Sequence, residues 1–131
     1  MIRTGIIETR ETSSSFIHFR EDGIVQIIFK DDTVIDVANQ LENLKVFLEV
    51  LGEEKRPFMF EAMEGVTVTR EGRDHAVQME SKTPACAYAI VVTNLAYKLI
   101  ADFYYRFNRP KYPFKVFRKK HEAEAWLRTF I

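Results

Sequence analysis

Seven basic residues and no acid lie between Arg106 and Lys120: Arg106, Arg109, Lys111, Lys115, Arg118, Lys119 and Lys120. The last three, followed by His121, stand where the spacing of Ala123, Trp126, Leu127 and Phe130 predicts that a helix begins. Cations at that end face the positive pole of the helix dipole and cost about 0.3–1 kcal/mol each at low salt. An acid or a Ser, Thr or Asp cap would be the expected choice. Free backbone N–H groups at a helix start bind anions, so the chemistry expected here is anion or carboxylate recognition. Thr69 and Asn94 mark two more helix starts, and Asp36 a fourth. With strands alternating with helices, all four starts fall at the carboxyl edge of the sheet, where open α/β sheets bind ligands. An anionic ligand or an acidic partner surface is therefore expected near Thr69, Asn94, Arg118 and Lys119. The competing reading is that the basic run is a solvated face.

The sequence carries no other recognisable chemical motif. Phosphate loops need closely spaced glycines whose amides converge on an anion, and the five glycines are scattered. His18, His75 and His121 lie far apart and make no metal-ligand spacing with another His, Cys or acid. No Ser sits in a nucleophile elbow. Cys86 is the single cysteine. It lies in the apolar run Ala85 to Val92, where a free thiol behaves as a small hydrophobe. Glu61 is the odd acid, in or near an apolar strand. No catalytic residue, metal site or cofactor is expected, and the chain reads as a non-enzyme.

The chain has 131 residues, the size of one domain, 1–131. Hydrophobic residues make up 47% and charged residues 29%, which is a globular balance. Nineteen basic and nineteen acidic residues cancel, so there is no global attraction to nucleic acid or to an acidic membrane. The neutral sum hides a split, because Asp36 to Glu54 holds five acids and one Lys. No stretch of about 18 apolar residues suggests a membrane span, and the start of the chain has no secretory pattern. The expected location is the cytoplasm.

The elements that must position these residues follow from pattern. Phe16 to Arg20 and Ile24 to Lys30 read as an antiparallel hairpin around the turn signal Asp22-Gly23. Asp36 caps a helix whose Val37, Leu41, Leu44, Leu48 and Leu51 recur at helical spacing, and Gly52 stops it. Phe58 to Ala62 is continuously apolar, as in a parallel strand buried on both faces. Thr69 opens a second helix to about Glu80, with a thin stripe of Ala76, Val77 and Met79. Ala85 to Thr93 is the most hydrophobic strand. Asn94 caps a third helix, to about Phe107. A Pro-rich loop leads to the strand Phe114 to Phe117 and the last helix, Lys120 to Thr129. The expected fold is α/β, a mixed five-stranded sheet with four helices in the order β-β-α-β-α-β-α-β-α.

That order resembles the STAS fold of bacterial anti-sigma-factor antagonists such as SpoIIAA. It is similar to small, uncharacterised STAS-like proteins of bacteria. The resemblance is carried by Glu21-Asp22-Gly23, by Lys55-Arg56-Pro57 and by Phe103 to Asn108 with the following Arg109 to Phe117. Glu122 to Leu127 adds to it. It implies a binding or switch module. In the antagonists an Asp-Ser pair opens the second helix, and phosphorylation of that Ser breaks a complex by local charge. The matching stretch here, Gly65 to Gly72, lacks the pair. Thr69 is the nearest hydroxyl and the candidate phospho-acceptor, with Thr67 next.

The expected function is a regulatory or protein-interaction module of STAS-like type. The alternative is a carrier or sensor of an apolar or anionic small molecule. The expected partner is a protein or an anionic ligand, with no membrane and no nucleic acid. A homodimer is a further expectation, since Tyr97, Tyr104, Tyr105, Tyr112 and Phe114 exceed what one helix face and a loop need, and aromatics are enriched in interface cores.

Overall fold

A computed structural model describes residues 2–95, 97–99, 101 and 110–131. Its main sheet has six strands, one more than the sequence pattern suggests. They are β1 (Ile6–Glu11), β2 (Ser15–Arg20), β3 (Val25–Phe29), β5 (Arg56–Ala62), β7 (Ala85–Val92) and β8 (Phe114–Phe117), side by side in that order. β1, β2 and β3 form an antiparallel meander. β3, β5, β7 and β8 run parallel. Two further short strands, β4 (Val34–Ile35) and β6 (Thr67–Val68), pair in parallel as a separate ribbon. The expected five-strand order is thus corrected at three places. β1 escapes pattern reading because it is an edge strand whose side chains are exposed or half-exposed throughout. β4 and β6 are two residues each, too short to show a period.

Three helices are described in full: α1 (Val37–Leu51), α2 (Arg70–Met79) and a C-terminal helix (Lys120–Arg128). Leu95, residues 97–99 and Ala101 are also helical. The expected extension of that helix to Phe107, with Tyr104 and Tyr105, lies outside the described residues.

Strand alternation divides the core in two. Phe58 of β5 points to one face and Met59 to the other, and both are 0% exposed. On the first face Leu44 and Phe47 of α1 and Met79 of α2 pack on Ile17, Ile27, Phe58 and Tyr88. On the second, Ala123 and Leu127 of the C-terminal helix pack on Ile24, Met59, Ala89 and Phe117. The apolar runs of β5 and β7 are explained by these helices on both sides.

α1 is rotated from its expected face. Leu44 is buried, but Leu41 and Leu48 are 50% and 45% exposed. The inward stripe contains Asn43, Leu44 and Phe47. Buried Asn43 bonds the Thr12 hydroxyl at 2.8 Å and donates to the Ser15 hydroxyl at 3.2 Å. The Phe47 ring meets Phe58 edge-on at 4.8 Å. A polar tie and an aromatic anchor thus set the rotation in place of two leucines. α2 shows the same economy. Its inner face is Gly72 and Met79, with Ala76 and Val77 exposed. Gly72 is needed for close approach, because a Cβ there would sit 2.7 Å from the Ile35 carbonyl oxygen.

An aromatic row crosses the parallel strands. Phe29, Phe60, Tyr88 and Phe114 stack in sequence at 6.0, 6.4 and 6.5 Å. The Tyr88 hydroxyl donates to the Glu80 carbonyl at 3.1 Å, and burial pushes its pKa well up. The Glu80 carboxylate accepts the Tyr112 N–H at 2.7 Å. The segment from Pro110 to Pro113 is therefore fastened at Tyr112 to the end of α2. Tyr112 and Phe114 both pack against Tyr88. Tyr97 is 43% exposed.

Candidate functional site

The carboxyl ends of β3, β5, β7 and β8 lie at one edge of the sheet, and each leads into a helix start. Asp36 caps α1 in a reciprocal box with Asn39: its carboxylate accepts the Asn39 N–H at 2.9 Å, and the Asn39 side chain accepts the Asp36 N–H at 3.1 Å. The Thr69 hydroxyl caps α2 by accepting the Gly72 N–H at 2.9 Å. The Asn94 side chain accepts the Tyr97 N–H at 2.9 Å. Lys119 occupies the cap position of the C-terminal helix and makes no side-chain cap bond. Three helix starts are thus capped and the basic one is not.

The four residues expected at the site share this edge but not one face. Thr69 opens α2, which covers the first face of the sheet, whereas Arg118 and Lys119 open the helix on the second. Arg118, Lys119 and Asn94 are exposed, and Thr69 is half-buried. Among the described residues Arg118 and Lys119 have no ion-pair partner. Arg106 and Arg109 of the basic run lie outside the described residues. Thr67 is exposed on β6.

The Thr69 hydroxyl has a structural task as a cap. Thr69→Ala is expected to cost about 1 kcal/mol, within the ~0.5–2 kcal/mol range of lost caps. Asp is as good a cap, so Thr69→Asp is expected to change stability little. Urea unfolding of both variants checks this, and equal losses would deny the capping role.

Pattern reading missed why Lys120 stands beside Arg118 and Lys119. Glu61, on the second face, accepts from the buried Gln26 amide at 2.7 Å and lies 3.5 Å from Lys120. Its side chain is only 13% exposed. One of the three cations therefore serves a sunken carboxylate between β3 and the helix start. The Glu in an otherwise apolar strand was the visible signal, but its partner is 59 residues away by their numbering and only the fold joins them.

The same edge exposes apolar side chains. Val34 after β3, Met63 and Val68 after β5, and Leu95 after β7 are 53%, 43%, 37% and 52% exposed. Arg118 and Lys119 follow β8, next in the sheet. Asp31 and Asp32, on the connection that carries Val34, and Glu64, next to Met63, are exposed as well. There the turns interlock: Asp32 and Gly65 both have positive φ, at 58° and 80°, and the Asp32 N–H bonds the Glu64 carbonyl at 3.4 Å. The edge therefore mixes acidic and apolar side chains after β3 and β5 and is basic after β8.

The remaining titratable residues have local roles. His18 Nδ1 lies 2.8 Å from the Thr9 hydroxyl, His75 Nδ1 lies 2.7 Å from Gln40 Oε1, and His121 is exposed. Cys86 is half-buried with Sγ 3.9 Å from the Phe130 carbonyl, and burial raises its pKa. Among the described residues no group of three His, Cys, Asp or Glu is placed to hold a metal ion. No helix among them is long and apolar enough to cross a membrane.

A family model described as "Domain of unknown function (DUF7793)" matches residues 17–131. The chain belongs to the DUF7793 family. The family match begins within β2, so β1 precedes it. A solved structure of an uncharacterised DUF3478-family protein from Shewanella loihica PV-4, described as having a SpoIIAA-like fold, is similar over 97% of both chains. Its TM-score is 0.57 at 13% identity. This DUF7793 member therefore has a SpoIIAA-like fold, in agreement with the STAS-type element order. A protein of unknown function from Arthrobacter sp. FB24 matches 85% of this chain and 96% of its own, at 18% identity and a TM-score of 0.29. No curated protein matches the sequence.

Proposed function

We propose that this DUF7793 chain is a non-enzymatic regulatory module that binds a protein partner at the carboxyl edge of its sheet. The observation that supports it is the exposure of Val34, Met63, Val68 and Leu95 on connections next to one another in the sheet order, flanked by Arg118 and Lys119. Apolar side chains rimmed by charge are the composition of a protein-binding patch. The two cations without a partner among the described residues select an acidic segment of the partner. Charge opposition of this kind governs encounter rate and orientation more than raw affinity.

The test is a photo-crosslinking residue at Met63 or Leu95 in the full chain, expressed in its native cell. A defined protein is expected to be captured from the edge and not from Glu53, at the far end of α1. With that partner purified, the double reversal Arg118→Glu and Lys119→Glu is expected to weaken binding about tenfold or more, mainly through the association rate. Rising salt is expected to weaken the parent and leave the reversed variant little changed. Equal capture from Glu53, or affinity indifferent to the reversal, would overturn the reading. A small molecule copurifying with the chain and displaced by the reversal would replace it with the carrier or sensor alternative.

A further inference from the structure

Among the described residues β1 is the edge of the main sheet and pairs only with β2. An uncovered edge offers a row of N–H and C=O groups to another strand. Which groups of β1 are free follows from its register. The Thr12 N–H bonds the Ser15 carbonyl at 2.9 Å, and the paired residues continue as Glu11 with Phe16, Arg10 with Ile17, Thr9 with His18 and Glu8 with Phe19. Hydrogen-bonded and non-bonded pairs alternate in an antiparallel ladder. Arg10 and Glu8 therefore spend their backbone groups on β2, while those of Thr9 and Glu11 point out of the sheet. A bulge between Ile6 and Glu8 breaks the alternation beyond Glu8.

We infer that β1 is a self-docking edge, joining two copies of this chain by antiparallel pairing with Thr9 at the twofold axis. Parity and charge together select that register. A twofold pairing must be centred on Glu8, Thr9 or Arg10 to keep the strands overlapped and the outward groups opposed. Centring on Glu8 sets Glu8 against Glu8 of the second copy, and centring on Arg10 sets two arginines together. Like charges directly opposite are destabilising. Centring on Thr9 sets Glu8 opposite Arg10 of the second copy, twice, and lets the two Thr9 residues exchange N–H and C=O.

The charges are already arranged for this. Arg10 pairs with Glu8 of its own strand and reaches Glu49 of α1 at 3.4 Å. Its guanidinium then lies between its own Glu8 and that of the second copy. Ile6 and Ile7, 52% and 72% exposed, flank the pairing and lose water on docking. This edge is lateral to the carboxyl edge and uses none of its residues, so dimerisation and partner binding are separable.

Sedimentation equilibrium of the full chain tests it. The parent is expected to show a reversible monomer–dimer equilibrium. Arg10→Glu sets like charges together twice and is expected to raise the dimer dissociation constant about tenfold or more. Glu8→Arg combined with Arg10→Glu restores opposite charges and is expected to return it to within about threefold of the parent. Thr9→Pro removes an N–H that the monomer does not use, so the dimer is expected to be lost with the far-UV spectrum intact. Hydrogen exchange supplies a reading without mutation: protection of the Thr9 amide is expected to rise with protein concentration. A parent that stays monomeric at about millimolar concentration overturns the inference, as does a dimer indifferent to both Arg10→Glu and Thr9→Pro.

Discussion

Replacing Asp22 with alanine is expected to remove about 3–5 kcal/mol of folding stability, the range for breaking a buried ion pair from one side. Asp22 follows the end of β2, and its side chain is 4% exposed. Its carboxylate takes a two-pronged contact from Arg20, Nε at 3.2 Å and Nη2 at 2.7 Å, and also accepts the Ile24 N–H at 3.2 Å. Arg128 of the C-terminal helix reaches it at 3.3 Å. Arg20 is 3% exposed and its third nitrogen meets Glu124 at 2.7 Å. Burial alone would lower the Arg20 pKa, but the hydrogen bonds to Asp22 and Glu124 outweigh it and raise it. The guanidinium thus stays charged, and removing Asp22 leaves it buried with a single acid. Among the described residues Arg128 Nε is already buried without a hydrogen-bond partner, so this end of the network is short of acceptors before Asp22 is removed. The check is urea unfolding of Asp22→Ala, Arg20→Met and the double variant. The double is expected to cost clearly less than the two singles added, because it removes both charges of the central pair. A loss under about 1 kcal/mol in Asp22→Ala would mean that water solvates the network.

Asp22 also shows what a sequence reveals and what it conceals. Asp22-Gly23 is legible as a turn, and Gly23 adopts the positive φ, 88°, that such turns need. Nothing local says that the same carboxylate locks the C-terminal helix onto the sheet. The caps were legible for the same local reason: Asp36, Thr69 and Asn94 act within three residues of themselves. The parallel strands were legible because β5 and β7 are buried on both faces and their apolar runs are continuous. The rotation of α1 was not. A helical period gives a stripe but does not decide between neighbouring stripes, and the choice was made by Asn43 and Phe47 against residues far away in sequence. At the candidate site the uncapped basic start was visible, whereas the duty of Lys120 toward Glu61 needed the fold. The exposure of Val34, Met63, Val68 and Leu95 was likewise concealed, since an apolar residue in a short connection looks the same whether it enters the core or leaves it.

Replacing Phe58 with alanine is expected to cost about 3–5 kcal/mol, the usual loss for truncating a buried Phe. Phe58 is 0% exposed and lies on β5, between β3 and β7. Its ring meets Phe47 edge-on at 4.8 Å and Tyr88 at 6.2 Å, so it joins α1 to the aromatic row. Truncation removes apolar burial and leaves a cavity that backbone paired on both sides cannot collapse to fill. Phe58→Leu keeps most of the volume and is expected to cost roughly half as much. Total stability for a domain of this size is about 5–15 kcal/mol, so the alanine variant loses a large share of it. The change is not expected to stay local. Tyr88 rests against Phe58 and, through Glu80, holds Tyr112 in place. Amide exchange at Tyr112 is therefore expected to quicken more than at Gly72, whose N–H is held by the Thr69 cap within its own helix. Denaturant unfolding with an unchanged m-value, followed by exchange at those two amides, measures both parts. A loss below about 1.5 kcal/mol would show that Phe47 and Tyr88 close over the space. Equal quickening at Gly72 and Tyr112 would show that the aromatic row does not hold the segment from Pro110 to Pro113.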